Sequence, residues 1–369
     1  MKQPRLYYID NLRIFLISLV VLHHLAITYG APGSWYYNES VISEPEILPM
    51  SMFVASNQSF FMGLFFFISA FFILPSLNRK GINKFIADRA IRLGVPLLFF
   101  SFFLSPLTVF IHHRIVENKP EAFWQYLLHG WGVNAGPLWF VEALILFSIL
   151  FIIFRQSLVK IKMKFPGSFK ILLFALFTGF LQFVTRIWLP VGWSMPITGF
   201  QFPFFIQYIF MFILGVVAFQ NNWTDAVTVK LGYRWFLFAQ VMIFVGFPLL
   251  FWAGNSDKTG IVPFMGGFTL QSLGYATWEQ VTGISLMLGI TGIFKQYFNS
   301  QPTFARKLSD SAYGVFVFHT PVIVLLCAVF SGWIVFPPLK FLILAPIALT
   351  ACFLVAGLIK RIPGLNRIL

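Results

Sequence analysis

The chain has 369 residues, 58% of them hydrophobic and only 10% charged, with a mean hydropathy of +0.82 and a formal net charge of +14. A water-soluble domain of this size needs far more charge to cover its surface, so the composition excludes a soluble globular enzyme and implies a multi-span membrane protein. The positive excess falls in short loops between apolar segments, where the positive-inside rule expects it, so it is no argument for a nucleic-acid partner.

Ten apolar segments follow in chain order, at approximately residues 10–30, 56–75, 91–111, 138–155, 169–188, 203–220, 234–252, 279–295, 311–330 and 338–359. Each is close to the roughly 20 residues that carry a helix across a bilayer. The backbone must be satisfied inside lipid, so helices are expected throughout. Runs such as "FFMGLFFFISAFFIL" (60–74) give an apolar surface all round a helix. The eighth segment is the least apolar, being rich in Gly and Thr. No internal repeat is evident, which argues against an inverted-repeat transporter. The first segment follows a basic start, but Asp10 and Arg13 interrupt it and no small-x-small cleavage site follows. It is therefore read as a retained helix. Cys327 and Cys352 both lie in apolar runs and define neither a disulfide framework nor a metal site.

Charge sets the topology. The loops at 76–90 and 156–170 with Arg155 just before the latter, the pair Lys230 and Arg234, the group Lys295, Arg306 and Lys307, and both chain ends collect 19 of the 26 basic residues. The alternate loops hold Arg114, Lys119, Arg186, Lys258 and Lys340; Arg13 and Arg92 begin helices on the basic side. The expectation is an all-α integral membrane protein. It is a single bundle of about ten transmembrane helices over residues 1–369, multi-pass in the inner or plasma membrane, with both termini cytoplasmic. The outer loops 31–55, 112–137 and 253–278 are the longer ones. The first carries Glu39, Glu44 and Glu46 and no base. The aromatics Trp35, Tyr36, Tyr37, Trp124, Tyr126 and Trp131 in these loops form either an interfacial belt or a rim on which a sugar ring stacks. "HHR" (112–114) and His129 lack an HExxH-like spacing or a carboxylate partner, so they are read as solvated loop histidines and no metal is expected.

The segment "NLRIFLISLVVLHHLAI" (11–27) holds three groups that are costly in lipid, Arg13, His23 and His24. With the helix entering from the cytoplasm, His24 lies about 16 Å beyond Arg13 and, after eleven residues, on nearly the same face. His23 points about 80° away. Such groups should face the bundle interior or a wet cavity. Arg89 and Arg92, three residues apart, share one helix face. Glu142 lies about 6 Å inside the outer end of its helix, at a depth similar to that of His24; Asp10, about 21 Å away, cannot reach His24. His319, about 12 Å in from the inner side, lines the interior or bonds a neighbouring helix.

The segment resembles the acyltransferase 3 family of integral membrane acyltransferases, whose signature is a basic residue, ten intervening residues and a histidine in the first helix; Arg13 and His24 match it. "FFFISAFF" (65–72) resembles the family's second-helix motif, with Ala70 where glycine is usual. "RAIRLGVPLL" (89–98) resembles its Arg-x-x-Arg-Leu stretch at Arg89, Arg92 and Leu93. "GPLWFVEALI" (136–145) resembles the start of the fourth helix, and "SAYGVFVFHTPVI" (311–323) a late helix carrying a histidine, here His319. Through "RLGVPLL" and "FPFFIQYIFMFILGVVAF" the chain is also similar to the glucan-modifying succinyltransferase branch. The resemblance implies transfer of a short acyl group, acetyl or succinyl-like, from cytoplasmic acyl-CoA to a hydroxyl of an envelope or extracytoplasmic glycan. His24, Arg13 and Glu142 would be catalytic, and Arg13, Arg89, Arg92 and His319 would meet the donor. Two other readings stay open: a transporter or flippase with a proton-relay histidine, and a non-catalytic membrane scaffold.

Overall fold

The computed structural model describes residues 5–40, 47–128, 134–196 and 198–369. Lys2, Glu44, Glu46, His129 and Trp131 lie outside the described residues. Among the described residues, nine helices are long and apolar enough to cross a membrane. They are α1 (Tyr7–Thr28), α2 (Ile47–Lys80), α3 (Ile82–Ile115), α4 (Gly136–Val159), α5 (Ser168–Arg186), α6 (Phe202–Gln220), α7 (Val229–Ala253), α9 (Thr303–Val329) and α10 (Pro337–Ile359). The expected eighth segment is also a helix, α8 (Leu270–Tyr297), 28 residues long. Its low hydropathy has a physical cause. It packs on α1, α2, α5 and α7 and carries the buried polar residues Glu279, Gln280, Thr282 and Ser285. A helix enclosed by others meets partner side chains where a peripheral helix meets lipid, and so it tolerates polar groups.

Burial separates inner from outer helices. The apolar window of α9 is 67% buried and that of α2 61%, against 17% for α7 and 22% for α10. The peripheral helices expose Leu237, Phe244, Leu342 and Leu354, as a lipid-facing surface requires. Small residues bring the inner helices together. A Cβ on Gly283 would lie 1.9 Å from the Ser59 carbonyl oxygen, so α8 and α2 touch backbone to backbone at a site only glycine fits.

The helix ends agree with the charge pattern. Asn11 Nδ2 donates to the Phe298 and Ser300 carbonyls at 2.7 and 2.9 Å, joining the start of α1 to the end of α8. Lys295 Nζ donates to the Thr224 carbonyl at 2.6 Å, joining α8 to the turn after α6. Lys360 binds the Asp310 carbonyl, joining the end of α10 to the start of α9. This is the basic end of the bundle. At the opposite end, Val191 N donates to the Met265 carbonyl at 2.7 Å, tying the turn after α5 to the segment before α8.

Prolines shape α3. Its turns at Ala90–Gly94 and Phe100–Leu104 are π-helical, each ending two residues before a proline, Pro96 and Pro106. Pro96 has no N–H for the Arg92 carbonyl four residues earlier. The Tyr313 hydroxyl of α9 donates to that carbonyl at 2.8 Å instead, fixing the Arg-x-x-Arg turn to α9.

Candidate functional site

His24 lies four residues before the end of α1, in the half of the bundle away from the basic end. Its ring stacks on Trp35 with centroids 3.8 Å apart and planes at 13°, and on His319 of α9 at 5.4 Å and 20°. Trp35 and His319 are themselves 6.1 Å apart and nearly parallel. His23 meets His24 edge-on at 5.5 Å and otherwise packs on Phe61 of α2. Two histidines distant in sequence thus share one aromatic stack. His319 is fully buried, and its Nδ1 lies 2.8 Å from the Phe316 carbonyl. A carbonyl only accepts, so Nδ1 carries the proton and the neutral ring keeps its lone pair on Nε2. That Nε2 is buried without a hydrogen bond, as is Nδ1 of His24. Unpartnered nitrogens at depth in an apolar core are unfavourable, and they are the groups that a substrate can satisfy.

Trp35 reaches His24 because the chain folds back after α1. Gly30, at φ 105°, turns it, and Glu39 N donates to the Thr28 carbonyl at 2.9 Å. Tyr36 Oη pairs with Ser105 Oγ of α3 at 2.9 Å. Tyr37 Oη donates to Glu39, and Lys340 Nζ of α10 meets Glu39 at 2.5 Å and the Phe330 carbonyl at 2.7 Å, beneath the Tyr29 ring. Lys340, read from sequence as an outer-loop base, is a helical residue only 1% exposed. Tyr36 and Trp35 are therefore not a free interfacial belt.

Arg13 stands at the basic end, eleven residues before His24 on one uninterrupted helix, about 16 Å along its axis. Its guanidinium pairs with Asp10 at 3.2 Å and lies over the Phe72 ring. Asp10 also accepts from Arg5 Nε at 2.8 Å, and that hydrogen bond raises the Arg5 pKa. The one carboxylate leaves this group of two arginines net positive. Arg89 is half-buried over the Phe85 ring, while Arg92 is exposed and held through its carbonyl by Tyr313. Glu142 is half-buried on the first turns of α4, and among the described residues no hydrogen bond or ion pair joins it to His24.

Two clusters escaped the sequence reading. Arg186, expected in an outer loop, is the last residue of α5 and is fully buried. It pairs with Glu279 of α8 at 2.7 Å and lies over the Phe204 and Tyr275 rings. One turn away, Gln280 binds Gln182, and Gln207 of α6 reaches Gln280 and the Ser59 carbonyl at 3.2 and 2.7 Å. The sequence signal was polar residues one turn apart, Gln182 with Arg186, opposite Glu279 and Gln280, in otherwise apolar helices. The second cluster corrects an expectation. His112 and His113 end α3 rather than sit in a loop, and they do have a carboxylate neighbour, Glu117, at 3.6 and 3.8 Å. Lys119 lies 2.6 Å from that carboxylate, and its hydrogen bond holds Glu117 below the usual carboxylate range.

The sequence matches a known family over nearly its whole length. The profile of the acyltransferase 3 family, described as an acyltransferase domain, aligns with residues 6–357. This chain belongs to that family. It is 26% identical over 232 residues to the glucans biosynthesis protein C of Salmonella schwarzengrund (strain CVM19633), covering 58% of this chain and 59% of that one. The same protein of Escherichia coli O6:K15:H31 aligns over 232 residues and that of Escherichia coli O1:K1 over 239, both at 26% identity and 58% of each chain. The chain thus matches less than two thirds of these relatives' length. No solved structure matches it.

Proposed function

We propose that this chain is an acyltransferase that takes a short acyl group, acetyl or succinyl-like, from acyl-CoA at the basic end and passes it to a carbohydrate hydroxyl arriving from the opposite end. The observation that carries the reading is the stack of half-buried His24 on fully buried His319, about 16 Å along α1 from the Arg13 cluster. The names of the relatives, glucans biosynthesis protein C, support a glycan acceptor. The basic end is taken as cytoplasmic by the positive-inside rule, in the inner membrane of a bacterial cell.

In this reading Arg13, Arg89 and Arg92 hold the CoA phosphates by charge-assisted hydrogen bonds. His24 takes the proton of the acceptor hydroxyl as its oxygen attacks the thioester carbon. The carbon–sulfur bond breaks, the ester forms, and the proton leaves with the CoA thiol. His319, with Nδ1–H tied to Phe316, offers Nε2 as a fixed acceptor beside the thioester. Glu142 joins the site through substrate or water rather than through a direct bond to His24, since catalytic contacts commonly tighten only in the bound complex.

The test is acyl-CoA binding and turnover by the full chain in nanodiscs, across a panel of short acyl-CoAs. One donor is expected to bind. Arg13→Ala weakens that binding, and His24→Ala binds donor but releases no CoA. Glu142→Gln with unchanged kcat would remove Glu142 from the machinery. Absence of binding by every donor overturns the reading, and substrate flux without CoA release would put a transporter in its place.

A further inference from the structure

Of the three stacked rings, Trp35 has no part in the chemistry just described, yet it has the closest contact with His24, at 3.8 Å. Its position is fixed from both sides. Tyr36 ties the chain to Ser105 of α3, and Glu39 ties it to Lys340 of α10. Burying a lysine amine to 1% exposure is unfavourable unless it is paired. The partners of Lys340 are Glu39, the Phe330 carbonyl and the Tyr29 ring, so two of the three belong to the fold-back after α1. The bundle therefore commits a buried charge to holding this segment down. The indole, from the segment after α1, covers one face of the imidazole. An acyl-transfer site open to water loses its thioester to hydrolysis.

We propose that Trp35 is the outer wall of the transfer site, held shut by the Glu39–Lys340 ion pair and displaced by the acceptor, so that transfer to a hydroxyl prevails over hydrolysis. Trp35 is a positioning and specificity-determining residue, and its role in transfer rests on the acyltransferase reading of His24. A carbohydrate ring suits the displacement. Its C–H face can take the place of the imidazole against the indole, while a hydroxyl reaches His24.

Two readouts test this on the full chain in nanodiscs. The first needs no donor: carbethoxylation of His24 by diethyl pyrocarbonate, followed by peptide mass spectrometry. Labelling of Trp35→Ala is expected to be roughly three- to tenfold faster than wild type, the range a lost aromatic stack gives. Glu39→Gln falls between the two. The charge swap Glu39→Lys with Lys340→Glu moves back toward wild type, and Trp35→Phe stays close to it, which controls for folding. The second readout is CoA release without acceptor. In Trp35→Ala, water adds to the acyl carbon, the carbon–sulfur bond breaks, and free acid and CoA thiol appear faster than in wild type. Equal His24 labelling in wild type and Trp35→Ala overturns the proposal, as does unchanged hydrolysis in a Trp35→Ala protein that still transfers. If the labelling contrast holds while wild type uses no acyl-CoA, the wall stands and the acyl-CoA reading fails.

Discussion

Replacing Glu279 with glutamine removes one charge from the most enclosed ion pair in the described bundle. Arg186 is 0% and Glu279 2% exposed, with 2.7 Å between Nη2 and Oε2. At an effective dielectric of about 20, the attraction at that distance is about 6 kcal/mol. Desolvation of the two ions offsets much of this, so the pair itself contributes little net stability. A lone partner is another matter: Glu279→Gln leaves the Arg186 cation buried without a countercharge, facing a neutral amide, the Pro203 carbonyl and two aromatic faces. The expected loss is about 3–5 kcal/mol for Glu279→Gln, and a similar loss for Arg186→Met. The double variant Arg186→Met with Glu279→Leu loses less than either single, because no uncompensated charge remains. Unfolding of the four proteins in SDS-titrated micelles closes the double-mutant cycle. Single losses below about 1 kcal/mol that sum to the double would refute a tightly coupled buried pair.

Two further outcomes follow from local geometry. Gly283→Ala places a Cβ against the Ser59 carbonyl and is expected to cost about 1–3 kcal/mol in the same unfolding assay. Gly94→Ala meets nothing within 4 Å and should stay within about 0.5 kcal/mol of wild type. Equal losses would mean that α2 and α8 do not touch there. Burial pushes the Tyr36 hydroxyl up to about 12, from an ordinary value of 10.0. The folded chain then keeps a proton that the unfolded chain releases, so this contribution is whole below pH 10 and is lost as pH rises toward 12. The difference in unfolding midpoint between wild type and Tyr36→Phe should therefore change across that window. A constant difference would place Tyr36 in water.

The fold was legible because its signals are local. Runs of about 20 apolar residues and the alternation of basic loops depend on neighbours in sequence, and among the described residues each of the ten expected segments falls on a helix, nine of them long and apolar enough to cross a membrane. The helices run past the apolar windows, α2 from Ile47 to Lys80 against an expected 56–75, because chain in the interface continues the hydrogen-bonded ladder without being apolar. The eighth segment shows why hydropathy fades at the centre of a bundle. Glu279 and Gln280 lower it, and those residues place α8 among partners rather than in lipid.

The site was half legible for the same reason. Arg13 and His24 lie on one helix, so their spacing fixes their relation before any packing is known. Trp35 against His24, and His24 against His319, are contacts across a reversal of chain or across 295 positions, which no periodicity encodes. The misread charges share a cause. A count of loop bases treats Arg186 and Lys340 as solvated, yet each sits on a helix with its carboxylate on another segment, Glu279 on α8 and Glu39 in the fold-back. A basic residue on the sparsely charged side of a membrane protein has no topological reason to be there. Such exceptions are the positions at which to look for a buried acidic partner, and here the two that have one tie α5 to α8 and the fold-back to α10.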